Sequence, residues 1–197
     1  MLTRLQLETR SLHPDADAPW VELMTFDATR ELYISTLVAT YGFEAPIEAA
    51  LSMTAGVSRV LQLRQRARSG FIVQDLLAFG FTPSRIARLP QCSRIMPFRD
   101  LSEALGWIYV VERATLLHET VKHHLSAYLP GVSAYSYLSA YEGVAEQRWE
   151  DLGHALDLVH LMYDSGDQIL AGARSAFGVL HEWMEGEEAH LHLVAHA

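Results

Sequence analysis

The chain has 197 residues, half of them apolar and a fifth charged, which suits one globular domain with a sizeable core. Its formal charge is −9, with Lys122 the only lysine; this excludes the concentrated positive field of a nonspecific nucleic-acid binder, and no apolar run approaches the roughly 20 residues of a membrane span. The single Cys92 has no internal disulfide partner, and Met1 to Glu8 lacks the apolar core of a secretory signal, so a reducing, cytoplasmic setting is expected.

The periodicity is helical nearly throughout, so the predicted class is all-α. A first long helix is read over Trp20–Tyr41, where Leu23, Met24, Leu32, Ile34, Leu37 and Val38 follow a 3.6-residue period, with Gly42 as its stop. Pro46 opens a short helix over Ile47–Ala55. A third segment, Val57–Phe79, is interrupted at Ser69-Gly70. Thr82-Pro83-Ser84 has the form of a helix entry, with Pro83 where its missing donor costs nothing. Leu89–Phe98, with Pro90 and Pro97, reads as an ordered loop. Arg99–Leu129 is the longest periodic stretch and has Gly106 as its only internal breaker. Two helices follow, Ala140–Tyr163 and Asp167–Trp183, hinged at Ser165-Gly166. One domain over residues 1–185 and a polar, histidine-dotted tail over 186–197 complete the outline.

Ten histidines stand out against this background. His13 ends the stretch Thr9-Arg10-Ser11-Leu12-His13, where a neutral imidazole could meet a heme iron. Glu112 and Arg113 form a charged pair inside an apolar run and need either partners, a polar cavity or an edge that reaches solvent. His118 and Lys122 share a face, whereas His123 and His124 turn away from it, so they make no metal box. Asp151, His154, Asp157 and His160 have the Asp-x-x-His spacing of helical carboxylate-iron sites, with a solvated face as the simpler reading. His190, His192 and His196 sit in the tail. Arg59, Arg64, Arg66 and Arg68 read as a solvated face paired with carboxylates. Cys92, in a Pro-flanked loop with no histidine nearby in sequence, is not a nucleophile candidate.

From Thr9 to Trp183 the chain resembles the bacterial heme oxygenases, particularly the type encoded beside bacteriophytochromes. The resemblance rests on Thr9-Arg10-Ser11-Leu12-His13, Tyr41-Gly42-Phe43-Glu44-Ala45-Pro46-Ile47-Glu48, Asp75-Leu76-Leu77-Ala78-Phe79-Gly80, Leu105-Gly106-Trp107-Ile108-Tyr109-Val110-Val111-Glu112, Arg148-Trp149 and Ala173-Arg174-Ser175-Ala176-Phe177. It implies an all-α domain holding heme between a proximal helix, with His13 as iron ligand, and a kinked distal helix. It further implies cleavage of heme to biliverdin with dioxygen and electrons from a ferredoxin or reductase.

The departures fall in the distal helix. Where the family pattern continues Gly-Ser-Thr-Leu-Gly-Gly, this chain has Arg113-Ala114-Thr115-Leu116-Leu117-His118. Side chains at 113, 117 and 118 obstruct the close approach that glycine permits. Arg113 then either fills the heme space or, with His118, faces a bound heme as hydrogen-bond donor or sixth ligand. Pro14 disfavours helical geometry at His13, and Glu150 stands where relatives commonly carry a basic residue. Three functions follow: a tetrapyrrole-binding protein with altered catalysis, a non-catalytic protein with a closed pocket that serves a regulatory or sensory partner, and a heme-free iron oxidase using Asp157 and His160.

Overall fold

The Thr29 hydroxyl accepts the Leu32 N–H at 3.0 Å and so caps the helix that organises the bundle, α3 (Arg30–Met53). In the computed structural model, which describes residues 1–186, α3 runs straight through Gly42 and Pro46, both predicted to break it. Neither acts as a stop. Pro46 has no N–H to give the Gly42 carbonyl one turn back, and that carbonyl instead accepts the Cys92 N–H at 2.8 Å. Gly42 permits the approach: a Cβ there would lie 2.6 Å from the Pro90 carbonyl oxygen and 2.5 Å from the Trp183 ring. The two supposed breakers thus form the dock for the predicted 89–98 loop.

The remaining helices are α1 (Leu2–Glu8), α2 (His13–Glu22), α4 (Val57–Val60), α5 (Ser69–Ala78), α6 (Pro83–Ile86), α7 (Leu101–Ala114), α8 (His118–Tyr128), α9 (Ala145–Tyr163) and α10 (Gly166–Glu185). No strand occurs among the described residues, as the periodicity implied. Thr82 caps α6, its hydroxyl accepting the Arg85 N–H at 3.2 Å. The long stretch after Arg99 divides at a 3₁₀ turn, Thr115–Leu117, where the Thr115 hydroxyl donates to the Glu112 carbonyl at 2.6 Å. Ser69-Gly70 opens α5 rather than interrupting a helix.

Two apolar clusters fill the bundle. One joins α7, α10, α9 and the C-terminal half of α3 around Leu105, Ile108, Ala173 and Phe177; the other gathers Trp20, Tyr33, Leu37, Ile72, Leu125 and Tyr137. The closest packing in the fold is α7 on α10, at Gly106 and Gly172. No helix among the described residues is long and apolar enough to cross a membrane.

Candidate functional site

Helix α2 presents His13, Asp17 and Trp20 on one face, at spacings of four and three residues, and this face meets α7 and α8. His13 adopts αR geometry (φ −66°, ψ −43°) in spite of Pro14, which sits in the first turn of α2 and so forfeits no intrahelical N–H bond. Its Nε2 lies 3.0 Å from the Thr9 hydroxyl and 3.4 Å from that of Tyr109. Thr9 donates its proton to the Leu5 carbonyl at 2.7 Å, which leaves its oxygen to accept from His13 in the tautomer protonated on Nε2. Burial first, and then the Arg113 charge, hold the His13 imidazole below its ordinary pKa. The ring is neutral and packs 5.6 Å from the Phe177 ring, centroid to centroid.

One turn on, Asp17 accepts both Arg113 terminal nitrogens at 2.6 Å each, tying α2 directly to α7. Farther along, the Trp20 ring lies 5.4 Å from His118 and 5.8 Å from Tyr137. What remains between the helices is a void of about 30 Å³ beside Ala16, Trp20, Val110 and Ala114, roughly the volume of one water. Arg113 is held between α2 and α7, paired with Asp17. As the side chains stand they do not fit a heme, because α2 and α7 leave no room for one between them.

His118 is buried, whereas Lys122, four residues on, pairs with Glu142 at 2.7 Å. Neither His118 ring nitrogen has a partner. Burial, with the Arg68 charge second, keeps its pKa well below the histidine norm. The unfolded chain therefore binds a proton near pH 6.5 that the folded chain refuses. Stability is full above that pH and falls as the pH drops toward the depressed folded value, by up to about 1.4 kcal/mol per pH unit. His13 acts in the same direction. In denaturant unfolding between pH 7.5 and 5, His118→Phe is expected to flatten this loss; a slope equal to the wild-type one would count against it.

Glu112, predicted to need partners, finds them on the opposite side of α7. It accepts Arg66 Nη1 at 2.7 Å, Arg68 Nη1 at 3.2 Å and the Tyr141 hydroxyl at 2.7 Å. Arg68 Nη2 also reaches Glu44 at 3.0 Å, and the same Glu44 oxygen accepts the Tyr137 hydroxyl at 2.7 Å. The solvated arginine face is thus corrected: Arg66 and Arg68 are buried in the bundle and Arg64 alone of these three is exposed. Residues 61–68 are largely non-helical, so alternate side chains point inward, and the i, i+2 spacing of the arginines was the available signal.

The other candidates disperse. Asp157 on α9 accepts the N-terminal ammonium of Met1, and no group of three or more His, Cys, Asp or Glu among the described residues could hold a metal. The iron-oxidase reading loses its ligand set. Cys92 is buried, Glu150 is exposed on α9, and the tail histidines 190, 192 and 196 lie outside the described residues.

A solved structure, the NO- and CO-bound heme oxygenase from Neisseria meningitidis, superposes on the whole chain and on 94% of its own, with a TM-score of 0.73 and 20% identity. This chain has the heme oxygenase fold. No protein-family model and no curated protein matches it. In this chain α2 packs against α7 through Asp17 and Arg113 and against α8 through Trp20 and His118.

Proposed function

We propose that this chain keeps the heme oxygenase bundle as a non-catalytic scaffold and acts as a regulatory interaction partner, without cleaving heme. The observation that carries this reading is the closed slot, in which Asp17–Arg113 and Trp20–His118 hold α2 against α7 and α8 and leave about 30 Å³. The resemblance to the bacteriophytochrome-associated type suggests a sensory pathway as the setting. A partner surface is available at the end of α9, where the neighbouring Leu161, Met162 and Tyr163 are all exposed.

A second reading has heme entering once the Asp17–Arg113 pair separates, with His13 as ligand and a ferredoxin or reductase as electron donor. It is favoured by the neutral His13 imidazole on the α2 face that meets α7. Hemin titration followed in the Soret region separates the two. Wild-type protein is expected to give no saturable band, whereas Arg113→Gly combined with Leu117→Gly reopens the slot and gains one that His13→Ala removes. A saturable wild-type band abolished by His13→Ala establishes the second reading and ends the first.

A further inference from the structure

On the far side of α7 from the closed slot lies a larger cavity, of about 280 Å³, between α3, the 63–67 segment and α7. Its walls are apolar, formed by Ile47, Leu51, Leu63 and Ile108, and exposed Ala67 stands at its mouth. Glu44, Arg66 and Glu112, each more than nine-tenths buried, line it as well. That volume corresponds to about nine waters of liquid, or a molecule of about a dozen non-hydrogen atoms. The combination of apolar walls with a few buried polar groups is the usual make-up of a small-molecule site.

The polar groups define what would fit. Two buried guanidinium groups, Arg66 and Arg68, face two buried carboxylates, Glu44 and Glu112. The lining adds one further charge of each sign, Glu48 and exposed Arg64, the former engaged by the Arg68 and Ser69 N–H groups and the Ser69 hydroxyl, so the formal charges cancel. An ionic ligand would lose its hydration with no counter-charge left to meet it. The terminal nitrogens of both arginines are engaged, by Glu112 and the Arg148 carbonyl for Arg66, and by Glu44, Glu112 and the Val111 carbonyl for Arg68. Both Glu112 oxygens are engaged as well. Glu44 differs: its Oε1 accepts Arg68 and Tyr137, while its buried Oε2 has no partner. A carboxylate oxygen only accepts, and one left unpaired in the interior is costly. The missing partner is a donor.

We propose that this cavity binds a neutral, largely apolar small molecule carrying one N–H or O–H group, which it donates to Glu44 Oε2. The site is separate from the closed slot and stands whether or not heme enters there. Bound ligand completes the coordination of Glu44 and covers the apolar walls; Tyr137 then links the same carboxylate to the cluster around Trp20 and His118.

Indole and benzofuran test this, being alike in shape and differing in the N–H. Amide chemical shifts of full-length protein titrated with each probe give the affinities. Indole is expected to bind saturably, with shifts centred on α3 and α7, and at least about tenfold more tightly than benzofuran, since a hydrogen bond to a charged group contributes about that factor or more. Glu44→Gln should collapse the ratio between the two probes. Ala67→Phe, which blocks the mouth without touching the ion pairs, should abolish indole binding and leave the melting temperature unchanged; it decides the matter if Glu44→Gln fails to fold. Equal affinity for the two probes, no saturable indole binding, or undiminished binding to Ala67→Phe overturns the proposal.

Discussion

Arg68→Ala is expected to lower stability by about 3–5 kcal/mol, enough to leave the protein largely unfolded at ordinary temperatures if its total is near the low end of the usual range. Arg68 is 1% exposed and touches three separate parts of the bundle. Its backbone N–H donates to Glu48 on α3 at 2.6 Å, its guanidinium meets Glu44 on α3 and Glu112 on α7, and it lies 5.1 Å from the Tyr141 ring centre. Truncation leaves Glu44 with only the Tyr137 hydroxyl, while Glu112 retains Arg66 and Tyr141. The large cost therefore belongs to an uncompensated buried carboxylate at position 44, whose pKa burial already pushes upward. Removing the charge as well as its partner, in Arg68→Met with Glu44→Gln, should recover a substantial part of the loss. Chemical denaturation of the single and double variants measures both effects. A single-variant loss below about 1 kcal/mol, or a double variant worse than the single, would contradict this account.

The same network explains why the fold was more legible than the site. Helix class followed from apolar periodicity, which reports burial, and burial is what the bundle needs from most positions. Thr82-Pro83 was read correctly because a cap acts within four residues of sequence. Gly42 was misread as a stop and Pro46 as the start of a new helix because their role is tertiary: the Cys92 N–H that takes the Gly42 carbonyl comes from 50 residues away. Arg66 and Arg68 were placed on the surface for the same reason, since only the fold brings Glu44 and Glu112 to them. His13 opposite Arg113 was legible through the family resemblance. Asp17 was not, because nothing in its local sequence marks it as the partner of an arginine 96 residues on.

The side chain at position 113 and the narrow spacing of α2 and α7 are physically one arrangement. A side chain at position 113 projects toward α2, and an arginine brought there with no ligand between the helices needs an anion. Asp17 supplies it, at a distance and in a bidentate geometry that specify one spacing of α2 and α7. His118 adds bulk at the other end of the same interface, against Trp20 and Tyr137. Both contacts favour the closed spacing over any wider one, so opening the slot has to overcome an ion pair only 15–19% exposed together with an aromatic cluster. An open, heme-binding state must recover that free energy from its ligand.

Substitution of Gly106 by alanine should be the most damaging addition of a single methyl group to this protein. The glycine was read from sequence as a weak point in a long helix, and its actual role is to let α7 lie against α10. A Cβ at 106 would stand 2.5 Å from the Ala173 nitrogen and 2.8 Å from the Gly172 carbonyl carbon, and against the Ile169 carbonyl oxygen; the reciprocal Cβ at 172 would meet the Glu103 oxygen at 2.7 Å. These are backbone atoms, so relief requires separating two helices that carry Tyr109, Glu112, Arg113 and Phe177 into the interior. Alanine's better helix propensity returns at most about 1 kcal/mol, whereas overpacking of this kind costs about 1–3 kcal/mol and occasionally more. Gly106→Ala and Gly172→Ala should therefore both lower the melting temperature, by about 2–4 °C for each kcal/mol lost. Gly178, exposed on the same helix α10 with nothing within 4 Å of its added Cβ, supplies the opposite sign. There alanine should raise stability by about 0.4–1 kcal/mol. Thermal unfolding of the three variants side by side checks the pattern: if Gly106→Ala is as stable as Gly178→Ala, α7 and α10 do not pack at the distance that places His13, Arg113 and Phe177 around one slot.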